Sequence, residues 1–391
     1  MVSLTSGLHP VAHGAEKPSD TLCEQAETLP ELFASAGWRT AMVTTNVYMK
    51  THAASFHRGF EYYCPTNDEA GADVVREVAR TVDGFPSGEP LFLWVHLLEP
   101  HCPYQPSEEA LRAVTGKAFA PKLGEQGTAM AELLGDGNYC FWVPTVPRSG
   151  PATGSESKPS ASLQDYLDAY DGELRDTDEI LRLLAEVLKT RGRWDDAWVA
   201  ITGDHGEEFG DHGGFGHGEH LYQESSRVPL LIKPPRKKGQ TGRISIQTPV
   251  SLVDLPPTLL AGVGIDVPAS WQGRDLGPAL RGESLAPREV VSETYDGWSR
   301  LLEHQGQRLV VSGDDLGQAN LFDAAKDPQE RTDLLNGLTL QLRKDRAGDL
   351  MKHLSLTWKT LAEGRICKPE SADISPEQEQ RLRALGYLGS E

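Results

Sequence analysis

Ala197-Trp-Val-Ala-Ile-Thr202-Gly-Asp-His-Gly206 decides the fold. A run of apolar, β-prone residues ends without a spacer in a glycine-rich loop, which continues as Glu207-Glu-Phe-Gly-Asp-His-Gly-Gly-Phe-Gly-His217-Gly218. A strand covered on both faces reads as a continuous apolar stretch, and sheets of such strands collect chemistry at their carboxyl ends. Glycines let backbone bend closely around an ion, while Asp and His supply oxygen and imidazole ligands for a divalent cation. Asp204 and His205, adjacent and nearest the strand end, are the candidate metal ligands.

Working outward, Leu163–Thr190 carries Leu167, Tyr170, Leu174, Ile180, Leu181, Leu184 and Val187 at helical spacing. Earlier, Thr21–Ala36 and Asp73–Val82 read as helices, and Thr40–Thr44 and Leu91–Val95 as strands. Later, Val228–Ile232 reads as a strand and Leu252–Leu260 as a short helix. Helices alternating with apolar strands predict an α/β fold: a mostly parallel central sheet with helices on both faces, over residues 1–286. Within it, residues 105–162 are rich in Gly, Pro, Ser and Thr and read as an irregular insertion or lid. From residue 287 to 391, short strands (Val290–Ser292, Arg308–Ser312) and helices at Leu338–Leu361 and Glu377–Leu385 predict a small antiparallel α+β C-terminal subdomain.

Composition narrows the function classes. The chain has 391 residues, with Asp+Glu 57 against Lys+Arg 38 and a net charge of −19. Such a surplus of negative charge argues against nucleic acid as a partner. The longest apolar runs are too short to cross a bilayer. Five cysteines, Cys23, Cys64, Cys102, Cys140 and Cys367, show no CxxC spacing and are read as no disulfide framework. Residues 1–7 have neither the basic nor the apolar segment of a signal peptide.

A second constellation, His96-Leu-Leu-Glu-Pro-His101-Cys-Pro-Tyr104, follows the strand at 91–95. If His101 and His217 both lie at strand ends of one sheet they share a cleft, where imidazoles neutralise an oxyanion or protonate a leaving group.

Together, His96-x4-His101-x-Pro-Tyr104, Tyr170-Asp171-x-Glu173, Thr202-Gly-Asp-His-Gly-Glu207, Gly210-x-His-Gly213, Arg227-Val-Pro-Leu230, Leu321-Phe-Asp323 and Leu385-Gly-Tyr-Leu388 resemble the sulfatase family of the alkaline-phosphatase-like superfamily. The resemblance implies a metal-dependent hydrolase of sulfate monoesters acting on a small-molecule or glycan sulfate ester. By motif matching, Asp204 and His205 are metal ligands, His101 contacts the sulfate or assists the leaving group, and His217 takes the sulfate-binding place of a family Lys or His. The implied cofactor is a divalent metal, Ca2+, with Mn2+ or Zn2+ as the alternative for a phosphoesterase-like enzyme. His205 stands where many sulfatases carry Asn and where His is common in phosphate- and phosphonate-ester relatives.

Ser3-Leu-Thr-Ser-Gly-Leu-His-Pro10 resembles the segment that follows the family's nucleophile, a Cys or Ser converted to formylglycine. That residue is expected about ten residues before Gly7, ahead of residue 1. Cys23 and Cys64 lack the Pro and Arg context to replace it. The chain as given is therefore expected to lack activity on its own. Two alternatives stand beside the sulfatase reading: a phosphate or phosphonate monoester hydrolase or phosphotransferase of the same superfamily, and a non-catalytic pseudoenzyme that binds an anionic ligand. The compartment stays open, with export or a periplasmic location implied if a signal precedes Met1.

Overall fold

The computed structural model describes residues 1–15, 20–46, 49, 55–66, 71–102, 104–116, 163–236, 242–294, 297–313, 315–367 and 370–371. At its centre Arg39–Thr44 is flanked in parallel by Tyr62–Pro65 and Leu91–His96, with Thr44 opposite both Pro65 and His96. Ala41, Met42 and Val43 are fully buried, as a central strand with two covered faces requires.

Alternation along Leu91–His96 shows the two layers. Leu91, Leu93 and Val95 pack with Val74, Val78 and Val82 of the Gly71–Gly84 helix and with Ile180 and Leu184 of the long helix. Phe92 points the other way, stacking on Phe33 at 4.4 Å beside Leu29 and Leu260. Gly71 matters here: a Cβ at this position would lie 1.9 Å from Ile180 Cδ1, so the two helices meet only because it is absent.

The long helix spans Leu163–Thr190, as its periodicity predicts. Other elements differ from the sequence reading. The helix expected over Thr21–Ala36 is only Leu29–Ser35. Thr28 and Glu31 form a capping box that starts it, with Pro30 in the first turn. Ahead of it, Asp20–Thr21 pairs with Glu370–Ser371, and Cys23 is joined to Cys367. That disulfide corrects the reading of the cysteines as no framework: partners 344 residues apart leave no spacing signal, and only the fold brings them together. Of the 105–162 segment, Glu108–Thr115 is helical, capped by Ser107, while 117–162 lie outside the described residues. So do the terminal helix at 377–385 and the motif at 385–388.

Val199–Thr202 does not extend the parallel sheet among the described residues. It pairs antiparallel with Leu230–Lys233, Thr202 opposite Leu230. The C-terminal part is a four-stranded antiparallel sheet in the order Ala319–Asp323, Gln307–Ser312, Ser299–His304, Val290–Glu293. One face, with Leu302, Leu309 and Leu321, packs on Ala347, Leu350 and Leu354 of the Leu340–Glu363 helix. The other, with Leu301, Val310 and Phe322, packs on Leu221 and Tyr222 just beyond the glycine-rich loop. The sheet that sequence alone showed in two pieces thus braces the segment carrying the candidate chemistry.

Candidate active site

The Val199–Thr202 strand delivers the chain into a tight loop held from below. Gly206 donates its N–H to the Ser225 carbonyl at 2.8 Å and Glu207 donates to the Glu224 carbonyl at 3.0 Å. A Cβ on Gly206 would sit 1.9 Å from the Glu224 oxygen, so this approach requires glycine. Beyond it, Glu208–Phe209 and Phe215–Gly216 close a small hairpin, which returns the backbone and places His217 over His205. Their rings stack at 3.9 Å with an interplanar angle of 22°.

His101 arrives from another strand, after a cis Glu99–Pro100 peptide. Its ring lies edge-on to His217, centroids 5.2 Å apart. The four residues singled out from sequence, His101, Asp204, His205 and His217, therefore converge.

Hydrogen bonds assign the ring protons. His205 Nδ1–H donates to the Gly206 carbonyl at 2.8 Å, which leaves Nε2 as the lone-pair nitrogen, 3.8 Å from Asp204 Oδ1. His101 Nδ1–H donates to the Cys102 carbonyl at 2.7 Å. His217 Nδ1–H donates to Glu207 at 3.1 Å, so Glu207 orients it. His96 Nε2 instead accepts from the Asn46 side-chain amide at 3.0 Å, and burial pushes its pKa down, keeping it neutral.

Desolvation pushes the Asp204 carboxyl up, but interactions with the groups facing it, the His205 imidazole first, outweigh that and hold the group well below the usual carboxylate range. Burial likewise opposes charge on His101, and its contacts with Cys102 more than offset that, so its pKa is raised. The site thus pairs a permanent carboxylate with imidazoles, one of them biased toward the cationic form.

This donor set suits a divalent cation. Asp204 presents an ionised oxygen and His205 a nitrogen lone pair, at a separation one ion bridges with bonds of about 2.0–2.5 Å. Calcium takes about six to eight ligands, so Asp204 and His205 would be part of its shell.

Ser3, close to this site, looks like a nucleophile with a base: its hydroxyl is 3.1 Å from His13 Nε2. The tautomer rules that out. His13 Nδ1 accepts the Ala15 N–H at 3.1 Å, and burial, followed by nearby positive charge, depresses its pKa to about 3. The neutral ring therefore carries its proton on Nε2 and donates to Ser3, rather than accepting the serine proton.

Sequence reading assigned no role to Asn46, His96 or Glu207. His96 and Glu207 lie inside the quoted motifs, whereas Asn46 carries no local signal. It also missed the tie to the C-terminal sheet. His212 Nδ1 is 2.5 Å from the Glu224 carboxylate and its Nε2–H donates to the Glu330 carbonyl at 2.9 Å. Desolvation opposes the charge, but these partners raise its pKa, consistent with an imidazolium that donates from both nitrogens. Glu330 in turn pairs with buried Arg308 at 2.5 Å, and Arg308 donates to the Leu221 carbonyl at 2.9 Å.

Comparison with known proteins places this geometry. Residues 2–265 match the sulfatase family model, and residues 210–354 match that of the C-terminal region of N-sulphoglucosamine sulphohydrolase. An N-acetylglucosamine-6-O-sulfatase of Bacteroides thetaiotaomicron is 28% identical over 214 residues, covering 51% of this chain and 37% of that protein. The chain thus spans well under half the length of this curated relative. Among solved structures, a protein in complex with its substrate D-glucosamine-2-N,6-O-disulfate superposes with a TM-score of 0.69 at 19% identity, covering 93% of this chain and 87% of that one. The phosphonate monoester hydrolase of Agrobacterium radiobacter gives 0.65 at 20% identity, covering 95% and 89%. The fold is the alkaline-phosphatase-like one those structures share, and with two-thirds of its length matched by the family model the chain belongs to the sulfatase family.

Proposed function

We propose that this protein hydrolyses sulfate monoesters, with Asp204 and His205 holding a divalent metal and His101 and His217 receiving the sulfate. A chain of ring contacts from His101 through His217 to His205, which lies 3.8 Å from the ionised Asp204, carries the reading. Divalent metal is general in the family; calcium is the ion proposed here, and when bound it would neutralise sulfate oxygens and polarise the sulfur centre. His217, oriented by Glu207, binds a sulfate oxygen. His101, biased toward the cation, holds a proton at Nε2 for the departing alkoxide. The hydroxyl of Ser3 is not assigned as nucleophile.

The proposed substrate class is a sulfated sugar, in line with the disulfated glucosamine bound by the similar structure. Residues 1–286 are taken as the catalytic part and 287–391 as the subdomain that braces it. Export is proposed as well, supported by the Cys23–Cys367 disulfide, a bond that persists in oxidising compartments.

A second reading, a phosphate or phosphonate monoester hydrolase, is favoured by His205 in place of the Asn of many sulfatases. Turnover of matched aryl sulfate, phosphate and phosphonate esters with Ca2+, Mn2+ or Zn2+, by the protein extended ahead of Met1 through its expected nucleophile, separates the readings. Preference for sulfate, lost in Asp204→Ala, is expected. Faster phosphonate cleavage would overturn the first reading, and binding without turnover would point to a pseudoenzyme.

A further inference from the structure

The C-terminal sheet carries a second cluster of ligand-type side chains, sharing no residue with the site around Asp204. Glu289 immediately precedes the Val290–Glu293 strand, His304 ends the neighbouring strand, and His353 lies on the Leu340–Glu363 helix. The register pairs Val290 with Glu303, and one step further places His304 opposite Glu289. His353 reaches the same point from the helix above. One donor atom from each of the three lies within 4.8 Å of the others.

The details favour a shared ion over a simple ion pair. His304 Nδ1 is 3.3 Å and His353 Nδ1 3.9 Å from the same Glu289 oxygen, and the two rings lie nearly parallel with centroids 4.7 Å apart. Tetrahedral coordination with bonds of about 2.0–2.1 Å separates donor atoms by about 3.3 Å, which His304 and Glu289 match at 3.3 Å and His353 approaches at 3.9 Å. Two protonated imidazoles so close would repel each other. As neutral rings they offer two nitrogen lone pairs beside a carboxylate, with the exposed side open to a water ligand.

We infer that Glu289, His304 and His353 form a binding site for a divalent transition metal of the Zn2+ class. Two nitrogens and a single oxygen suit Zn2+, Co2+, Ni2+ or Cu2+ better than Ca2+, whose shell of about six to eight ligands is built mainly of oxygens. The ion would join three separate elements, clamping the helix onto the sheet edge. The site needs no substrate, so it stands or falls independently of the hydrolase reading.

The test is a Co2+ titration of the protein without a histidine tag, followed by its visible d–d absorption in excess Ca2+, which keeps oxygen-rich sites occupied. The expected result is one Co2+ equivalent with a tetrahedral spectrum, displaced by Zn2+. It should weaken by more than about tenfold in both His353→Ala and Glu289→Gln. His353 is half exposed, so its removal spares the core, and circular dichroism of each variant checks the fold. Zn2+ should also raise the wild-type melting temperature and leave that of His353→Ala unchanged. Superimposable titrations of wild type and both variants, or no Co2+ spectrum in the wild type, would overturn the site.

Discussion

His205 and His217 stack at 3.9 Å although eleven residues of loop and hairpin lie between them. The Glu208–Phe209 to Phe215–Gly216 hairpin makes the contact, and Glu207 fixes the ring of His217 at 3.1 Å. In the protein extended ahead of Met1 through its expected nucleophile, replacing His217 by Ala should lower kcat/KM for an aryl sulfate by about 10²-fold or more, since a positioned imidazole contributes on that order. His217→Lys should recover much of the loss by restoring a cation at the sulfate. An alanine variant as active as wild type would remove His217 from the site.

Asp204→Asn keeps the shape and removes the carboxylate charge at the candidate metal site. Hydrolysis should fall to background, and the stabilisation of the wild-type protein by added Ca2+ should vanish. Thermal melting with and without Ca2+ and chelator reads this directly. An unchanged Ca2+ effect in the variant would place the ion elsewhere.

Glu173 lies on the long helix, 6% exposed, and desolvation raises its pKa from 4.5 to about 7. The folded state therefore prefers the protonated acid. This contribution to stability is full below pH 4.5 and is lost as the pH rises through about 7, reaching an order-of-magnitude cost of about 3 kcal/mol. Gln keeps an acceptor for the Gln105 N–H that Glu173 now receives. Glu173→Gln should thus flatten the fall in melting temperature between pH 5 and pH 8. Parallel curves for the two proteins would refute the assignment.

Breaking the disulfide should loosen the N-terminal segment. Cys23 packs with Leu22, Ala26 and Cys367 in a small cluster, and paired Cys23→Ala and Cys367→Ala should destabilise by about 2–4 kcal/mol. Chemical denaturation with and without a reductant measures it. The reductant should affect only the wild type; equal sensitivity in the double variant would show that the bond contributes nothing.

Much of this was legible in the chain. Short apolar runs at 40–44 and 91–95 mark strands packed into a sheet, the first buried and the second half-buried. The spacing of Ile180, Leu184 and their neighbours marks the long helix because one helical face repeats every 3.6 residues. The loop after Thr202 announces its chemistry because glycine, Asp and His are adjacent in sequence. Hydrophobicity could not show that Val199–Thr202 pairs antiparallel with Leu230–Lys233, since apolar runs are alike in either direction.

By itself the sequence determined the α/β class and singled out His101, Asp204, His205 and His217 as candidates for the site. The tertiary structure alone decided that His101 meets His217, that Cys23 finds Cys367, that His13 gives its proton to Ser3 instead of taking one, and that Glu289, His304 and His353 share a point in space. Local patterns report which residues are buried or bent over a few turns of chain. Tautomers, pairings and clusters depend on distances between segments far apart in sequence, which packing sets.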